Sequence, residues 1–171
     1  MTLEPSKQIR RQASLFLPNA QSIETLRDKF NPLQARLIPA HVTLCREDEV
    51  DDWSAFQRIV EQQLPIEIEL GFGAPIRDGN LVLIPAISGI ERFDEVRRRL
   101  LGGKPRKQDP HITIIHPRNG ICSEEALEVI EATLRPFTAI FREVSLIEQT
   151  NGGPWTRFAW LGKGEDSIEK N

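Results

Sequence analysis

The hydrophobic positions in the first half of the chain recur at two spacings, which predict alternating strands and helices. Within residues 53–60 the apolar side chains fall at helical intervals, with Asp51 and Asp52 before them and Pro65 after them as start and stop signals. Residues 66–70 alternate isoleucine or leucine with glutamate, which is the spacing of a half-buried strand. The predicted order is a strand at 13–17, a helix at 22–30, a strand around 41–44, the helix after Asp52, and a strand at 66–70.

The second half of the chain repeats this order. The polar turn at 77–80 predicts a hairpin, Gly102 and Gly103 favour a left-handed end to a helix, and Ser123 is a typical helix N-cap. The Asn-Gly-Gly-Pro sequence at 151–154 predicts a final turn. The predicted elements are a strand at 81–87, a helix at 91–101, a strand at 111–114, a helix from 123, a long strand at 138–147 and a strand at 155–161.

Two histidines occupy matching places in the two halves. Leu15 to His41 spans 26 positions (41 − 15), and Ile84 to His111 spans 27 (111 − 84). Because a repeat of roughly 70 residues is too long for a solenoid, we predict an α+β fold with two pseudo-symmetric lobes, each an antiparallel sheet with helices packed outside, around a central groove. The prediction is a single bilobal domain over 1–171, with repeat halves at about 10–78 and 79–162 and a flexible tail at 163–171.

The composition restricts the class of protein and its partners. With 171 residues, 39% of them hydrophobic and 27% charged, the chain is typical of a globular protein that buries a core. Its net charge of −3 argues against binding double-stranded DNA but not against a small anionic ligand. No apolar run approaches the length of a membrane helix, and the first residues lack a secretory signal, so we expect a cytoplasmic protein with no membrane partner. We further expect a monomer with reduced thiols at Cys45 and Cys122.

The strongest chemical signal is the sequence His-x-Thr, which occurs at both matching places. Because alternate side chains of a strand point to opposite faces, His41 and Thr43 project together, as do His111 and Thr113, while their neighbours face the core. With three histidines and eight threonines in the chain, two such motifs would arise in fewer than roughly one in a hundred shuffled sequences. We therefore predict that each strand presents an imidazole and a hydroxyl to the groove.

Two segments carry a resemblance to a known family: Pro39-Ala40-His41-Val42-Thr43-Leu44 and Pro110-His111-Ile112-Thr113-Ile114. On these segments, the lobe order and the final Gly-Gly-Pro-Trp hairpin, the chain resembles the two-histidine (2H) phosphoesterase superfamily, which includes proteins named 2′-5′ RNA ligases and cyclic nucleotide phosphodiesterases. The resemblance implies a bilobal fold with both motifs facing one cleft. It also implies metal-independent chemistry on 2′,3′-cyclic phosphates or 2′-5′ linkages in a small nucleotide or RNA terminus, so we expect no cofactor and no metal site.

The residues themselves suit this chemistry. Cleaving a phosphodiester with water requires a base for the nucleophile and an acid for the leaving ribose oxygen, on opposite sides of phosphorus. Two histidines can divide these roles near neutral pH, and the hydroxyls of Thr43 and Thr113 can donate to the non-bridging oxygens. The residue types leave open which histidine is the base; by analogy within the family, His111 is assigned as base and His41 as acid.

Other residues are weaker candidates for the groove. Arg46 lies just past the first motif, where a strand end would bring it to the cleft mouth, and Phe16 and Trp155 are aromatic candidates for stacking a base. Cys45 is in phase with His41 and either lines the groove floor or is a buried small residue. Strand alternation sends His116 to the face opposite His111 unless the chain bends at Pro117, and we expect His116 to be a loop residue. Residues 97–99, three consecutive arginines, are predicted to form a solvated helix face.

Two other function classes compete with the phosphoesterase. A binding module could keep the same groove and sense a nucleotide or RNA end without turnover, and in a scaffold the motifs would only support the strands. Paired acid–base groups favour the enzyme, because a binding protein has no evident need of two such groups.

Overall fold

The fold is described from a computed structural model over residues 6–162. The predicted tail at 163–171 lies outside these described residues. The α-helices are α1 (Gln21–Phe30), α2 (Pro32–Leu37), α3 (Trp53–Gln62), α4 (Ile90–Leu101) and α5 (Glu124–Thr133), with a 3₁₀ turn at Glu47–Glu49. The strands are β1 (Ile9–Phe16), β2 (His41–Cys45), β3 (Ile68–Phe72), β4 (Ile76–Asp78), β5 (Leu81–Ser88), β6 (His111–Ile115), β7 (Phe137–Phe141), β8 (Val144–Thr150) and β9 (Trp155–Leu161).

The strands form two antiparallel sheets, which confirms the predicted fold class. The first sheet has the order β2-β1-β8-β9. In the second sheet β5 pairs with β6 on one edge and with β4 and β3 on the other, and β7 pairs with β3. Helices α1, α3, α4 and α5 each bury one face, for example Phe56 and Val60 of α3, against the shared core. A two-sheet α+β arrangement of this kind gives the molecule two lobes.

The sheets do not follow the division of the sequence at about residue 78. Strand β3 belongs to the first half but pairs with β5 and β7 in the second sheet. Hairpin β8–β9 belongs to the second half but pairs with β1 in the first sheet. Each sheet is therefore completed by strands from the other half, which ties the lobes together.

The predicted long strand at 138–147 is wrong, because the structure has two strands there. Strand β7 joins the second sheet and β8 the first. The residues of the hydrophobic core cluster change parity between them: Ala139 and Phe141 are at odd positions and Val144 and Leu146 at even ones, while Ser145 and Ile147 are buried on the other face of β8. A change of parity requires a break at residues 142–143, since one continuous strand keeps each face at a fixed parity.

Most element ends follow the predicted local signals. The Ser123 side chain accepts a hydrogen bond from the Ala126 N–H, and the Asp52 side chain accepts one from Ala55. Gly102 has a φ of 72°, in the left-handed region that glycine adopts easily. Helix α2 was not predicted, because it is six residues long and its two leucines, although four positions apart, are not part of a longer apolar pattern. Its only local signal is Pro32 at the first helical turn.

Arg97 is part of the core, so the prediction of a solvated arginine face is wrong at this position. Its side chain is 1% exposed, on the same face of α4 as Phe93 and Leu100. It donates to the Leu44 carbonyl, and its Nη2 lies 2.6 Å from Glu49 Oε1. Arg98 and Arg99, one and two positions later, are exposed as predicted. Arg97 lies four positions after Phe93 and three before Leu100, and this helical spacing is the sequence signal for its burial. The charge of the three consecutive arginines had suggested an exposed face instead.

Arg27 in α1 makes the reciprocal contact. It is 2% exposed, and its Nε donates to the Thr113 carbonyl at 3.2 Å while Nη2 donates to the Ile38 carbonyl at 2.8 Å. Arg27 and Arg97 are 70 positions apart (97 − 27), as are His41 and His111 (111 − 41). Each half therefore sends one buried arginine to the backbone of the His-x-Thr segment of the other half. These crossed contacts fix β2 and β6 relative to each other.

We predict that Arg97→Met destabilises the protein by about 3–5 kcal/mol, because it leaves the Glu49 carboxylate and several carbonyls buried without their donor. Arg98→Met is the matched control on the same helix, and its effect should stay within about 0.5 kcal/mol. Urea unfolding followed by circular dichroism measures both. Equal effects of the two substitutions would show that the buried pair does not hold the lobes together.

Candidate active site

Both His-x-Thr motifs line one cavity of about 450 Å³ between the lobes. His41, Thr43, His111 and Thr113 are half-buried there, whereas the alternate residues of both strands are fully buried. The structure thus brings together four residues that are up to 72 positions apart in the sequence (113 − 41). A larger cavity of about 640 Å³ lies between the start of α1 and β7, but no histidine, cysteine or carboxylate lines it. Of these two cavities, the one with the motifs is the one lined by histidines and carboxylates.

Each candidate catalytic imidazole forms a hydrogen bond with the backbone carbonyl two residues before it. His41 Nδ1 lies 2.9 Å from the Pro39 oxygen, and His111 Nδ1 lies 2.8 Å from the Asp109 oxygen. Because a carbonyl can only accept a hydrogen bond, Nδ1 donates and carries the proton of the neutral ring. Nε2 is then the nitrogen left to accept a proton from a substrate or, when protonated, to donate one. Both halves of the chain therefore orient their histidine by the same Nδ1–carbonyl hydrogen bond.

The pKa of His41 is lowered from 6.5 to about 4, chiefly because burial removes the ring from water. The hydrogen bond to Pro39 opposes this shift, while the charges of Arg27 and His111 lower the pKa further. His41 is therefore neutral at pH 7. The two histidines are close enough for the charge on His111 to affect the ring of His41.

The threonine hydroxyls are positioned as hydrogen-bond donors to the cavity. Gln12 Nε2 donates to Ser14 Oγ at 2.7 Å and to Thr43 Oγ1 at 3.3 Å. Since Thr43 Oγ1 accepts from Gln12, its own proton is free to be donated to another group. Among residues 6–162, the Thr113 hydroxyl has no hydrogen-bond partner, while its backbone pairs with β5 and its carbonyl accepts from Arg27. Both hydroxyls can therefore turn to an anion in the cavity.

The other predicted residues are placed differently. Arg46 and Trp155 line the cavity, but Phe16 is not among its lining residues. The Phe16 ring lies beside His41, with 6.0 Å between ring centroids, and the Arg157 guanidinium lies 4.9 Å from its centroid. Cys45 is fully buried, and burial raises the pKa of its thiol to about 12. Of the two predicted alternatives for Cys45, the buried small residue is correct.

His116 is a loop residue, as predicted, and it lines the same cavity as His111. Strand β6 ends at Ile115, and residues 117–119 form a turn, so strand alternation no longer applies at His116. Its Nδ1 accepts a hydrogen bond from the Arg118 backbone N–H at 3.1 Å. The pKa of His116 is lowered by burial and then by the charges of Arg118 and Arg10.

Several cavity residues were missed at the level of sequence. Strand β1 starts at Ile9 rather than Ala13, and its residues Arg10, Gln12 and Ser14 share the face that meets β2 through Gln12 and Thr43. Extending the alternation backwards from Phe16 would have found Arg10 and Gln12. Arg27 had no comparable signal, because its contacts are with residues far away in the sequence.

The cavity is positively charged although the protein as a whole is acidic. Five arginines and two carboxylates line it, while the whole chain has a net charge of −3. A cavity with excess arginine attracts anions such as phosphates and binds them with charge-assisted hydrogen bonds. The lining charged residues are Arg10, Arg11, Arg27, Arg46 and Arg118, with Glu47 and Asp48.

Comparison with known families identifies the superfamily of the chain. The sequence profile of the 2′-5′ RNA ligase superfamily matches residues 16–153. The chain belongs to the 2′-5′ RNA ligase superfamily. This match includes both His-x-Thr motifs and confirms the resemblance to the 2H phosphoesterases. No individual curated protein matches the sequence significantly.

Solved structures of this superfamily fold agree with the two-lobed architecture. E. coli LigT without ligand has a TM-score of 0.58 at 16% identity, covering 91% of this chain and 98% of LigT. LigT with 3′-AMP has a TM-score of 0.52 at 13% identity, covering 89% and 96%. A structure described only as a phosphoesterase has a TM-score of 0.55 at 14% identity, covering 90% and 98%. LigT has also been solved with phosphate, ATP and NADP⁺. At these identities the likeness shows the fold.

Residues 6–162 contain neither a metal-binding cluster nor a membrane-spanning helix. No three His, Cys, Asp or Glu side chains in this range lie together as a metal site, so the expectation of metal-independent chemistry stays a prediction. No helix in the same range is long and apolar enough to cross a membrane.

We predict that the His41 ring titrates with a pKa of about 4 in the free protein and that inorganic phosphate raises this value, because an anion stabilises the imidazolium. Imidazole NMR spectra recorded against pH measure it, with His41→Gln assigning the signal. Between pH 4 and 6.5 the folded protein then binds fewer protons at His41 than the unfolded chain does, so this residue lowers stability as the pH falls through that range. A His41 pKa of 6.5 or higher in the free protein would contradict its burial.

Proposed function

We propose that the protein is a metal-independent phosphoesterase that acts on 2′,3′-cyclic phosphate or 2′-5′-linked nucleotide or RNA substrates, by hydrolysis or by the reverse ligation. Membership of the 2′-5′ RNA ligase superfamily and the LigT-like fold support a phosphoesterase-type activity. The observation on which the finer proposal rests is the pair of imidazoles on one positive cavity. Each has its Nδ1 bonded to a carbonyl and its Nε2 left for a substrate.

His41 and His111 divide the proton transfers of this reaction. In hydrolysis, the base Nε2 takes a proton from water as the water oxygen bonds to phosphorus. The bond from phosphorus to the leaving ribose oxygen breaks in line with the attack, and the acid Nε2–H protonates that oxygen. Because its low pKa keeps His41 neutral, we assign His41 as base and His111 as acid, the reverse of the assignment implied by the family.

Thr43 and Thr113 stabilise the charge on the non-bridging phosphoryl oxygens. Their hydroxyls belong to the same strands as the histidines and share their face. Donors fixed in this way act mainly in the transition state, when negative charge on those oxygens is greatest. The contact of Gln12 with Thr43 holds the hydroxyl in place.

A small nucleotide or RNA terminus is the proposed ligand. A cavity of about 450 Å³ is in the usual range for small-molecule sites. The LigT complexes with 3′-AMP, ATP and NADP⁺ support a nucleotide in particular. In this proposal Arg46 binds phosphate and Trp155, which lines the cavity, contacts the base or ribose. Phe16 lies behind the ring of His41 and outside the cavity lining, so it supports that ring rather than the ligand.

The protein should hydrolyse adenosine 2′,3′-cyclic monophosphate in the presence of EDTA. His41→Ala and His111→Ala should each lower kcat by about 10²–10⁴, the usual effect of removing a positioned acid or base. Chromatography of the monophosphate product measures the rate. Arg58→Gln, an exposed change on α3 outside the cavity, is the control and should keep the wild-type rate.

Two other results would favour the competing functions. Nucleotide binding without turnover of any cyclic or 2′-5′ phosphodiester would identify a binding module that uses the same groove. Neither binding nor turnover in the wild-type protein, together with a lower stability of the His41→Ala variant, would leave the motifs the role of supporting the strands.

Thr43→Val and Thr113→Val should lower kcat by about 10², with a small change in KM, because the lost hydrogen bonds form chiefly in the transition state. Thr25→Val, on the exposed side of α1, is the matched control. Steady-state kinetics separate the two constants. A rise in KM at constant kcat would place the hydroxyls in ground-state binding instead.

A further inference from the structure

The end of the cavity beyond the histidines has its own set of basic groups. The segments that follow β2 and β6 both line the cavity, through Arg46 in the first and His116 and Arg118 in the second. Arg46 and His116 occupy equivalent places in the repeat, each five positions after its motif histidine (46 − 41 and 116 − 111). None of these three residues is needed for the proton transfers assigned to His41 and His111.

The carboxylates at this end are already paired with other arginines. Glu47 Oε2 lies 3.6 Å from Arg10 Nε, and Asp48 makes a two-pronged contact with Arg106, at 2.9 and 3.0 Å. Arg118 is exposed and makes no ion pair with any residue in the described range 6–162. The positive charge of Arg118 is therefore available to a ligand.

His116 is a hydrogen-bond donor to the cavity rather than a base. Its Nδ1 accepts the Arg118 backbone N–H, so the neutral ring carries its proton on Nε2. This is the opposite tautomer from His41 and His111, whose Nδ1 atoms donate to carbonyls. Burial and the charges of Arg118 and Arg10 lower the pKa of His116, which keeps the ring neutral at pH 7.

We propose that His116 and Arg118, with Arg46 on the other side, form a second anion subsite that binds a phosphate other than the one between His41 and His111. An N–H donor that lines the same cavity as the Arg118 guanidinium suits a phosphate, because guanidinium forms paired hydrogen bonds with its oxygens. The proposal rests on the proposed function for the position of the first phosphate. It narrows the substrate class to nucleotides or RNA ends with two phosphate groups.

Binding of nucleotides that are not turned over tests this subsite. Isothermal titration calorimetry compares adenosine 3′-monophosphate with adenosine 3′,5′-bisphosphate, at the same ionic strength. We expect the bisphosphate to bind about tenfold more tightly, as one charge-assisted contact to an added phosphate would give. A dinucleotide with an internal phosphate and a 3′-phosphate, but no 5′-phosphate, distinguishes an internucleotide phosphate from a terminal one as the second anion.

Variants separate the subsite from the general positive charge of the cavity. In Arg118→Gln the ratio of the dissociation constant of the monophosphate to that of the bisphosphate should fall to about 1–2. In His116→Asn the same ratio should fall several-fold. The asparagine keeps an acceptor for the Arg118 backbone N–H but loses the N–H donor at the position of Nε2. Arg58→Gln removes the same charge from α3 and should keep the wild-type ratio.

The outcomes distinguish this proposal from the proposed function. Equal affinity of the wild-type protein for both nucleotides, or a ratio that Arg118→Gln does not change, would overturn the second subsite. Discrimination that depends on Arg118, in a protein without phosphodiesterase activity, would support the subsite and overturn the proposed function.

Discussion

The geometry of the groove depends on two buried arginines that cross between the halves of the chain. Arg27 reaches the backbone of β6 at Thr113, and Arg97 reaches the backbone of β2 at Leu44. A guanidinium group removed from water is costly unless its N–H groups are satisfied, and both side chains meet this requirement with carbonyls and a carboxylate. Since the same strands bear the histidines, the relative position of the two imidazoles follows from these contacts.

The two halves share this framework but differ in the chemistry they place on it. Both histidines have Nδ1 held by a carbonyl, so each offers Nε2 to the same cavity. Burial and the charge of Arg27 lower the pKa of His41, which makes one histidine of the pair neutral at pH 7. At the next equivalent positions the first half has Arg46 and the second has His116. A duplicated framework with unequal side chains provides distinct roles within one symmetric groove.

The sequence predicts what depends on local spacing. Strand alternation correctly places His41 and Thr43 on the solvent-facing side of β2, and the helix starts at Asp52 and Ser123 follow from their capping side chains. Pairing between distant strands has no such signal, so the transfer of β3 and of β8–β9 to the opposite sheets could not be predicted. Arg97 shows a different limit, because its charge suggests solvent although its phase in α4 matches the core. His116 is the loop residue that was predicted, but strand alternation gives no signal for its place in the cavity, because β6 ends one residue before it.

The central claim is that His41 and His111 aim their Nε2 atoms at one phosphate. A crystal structure of the protein with bound inorganic phosphate or adenosine 3′-monophosphate tests it most directly. We predict a single phosphorus between the two rings, with both Nε2 atoms within hydrogen-bond distance of its oxygens and with a Thr43 or Thr113 hydroxyl donating to it. A phosphate bound by arginines alone, with either ring turned away from it, would contradict the account.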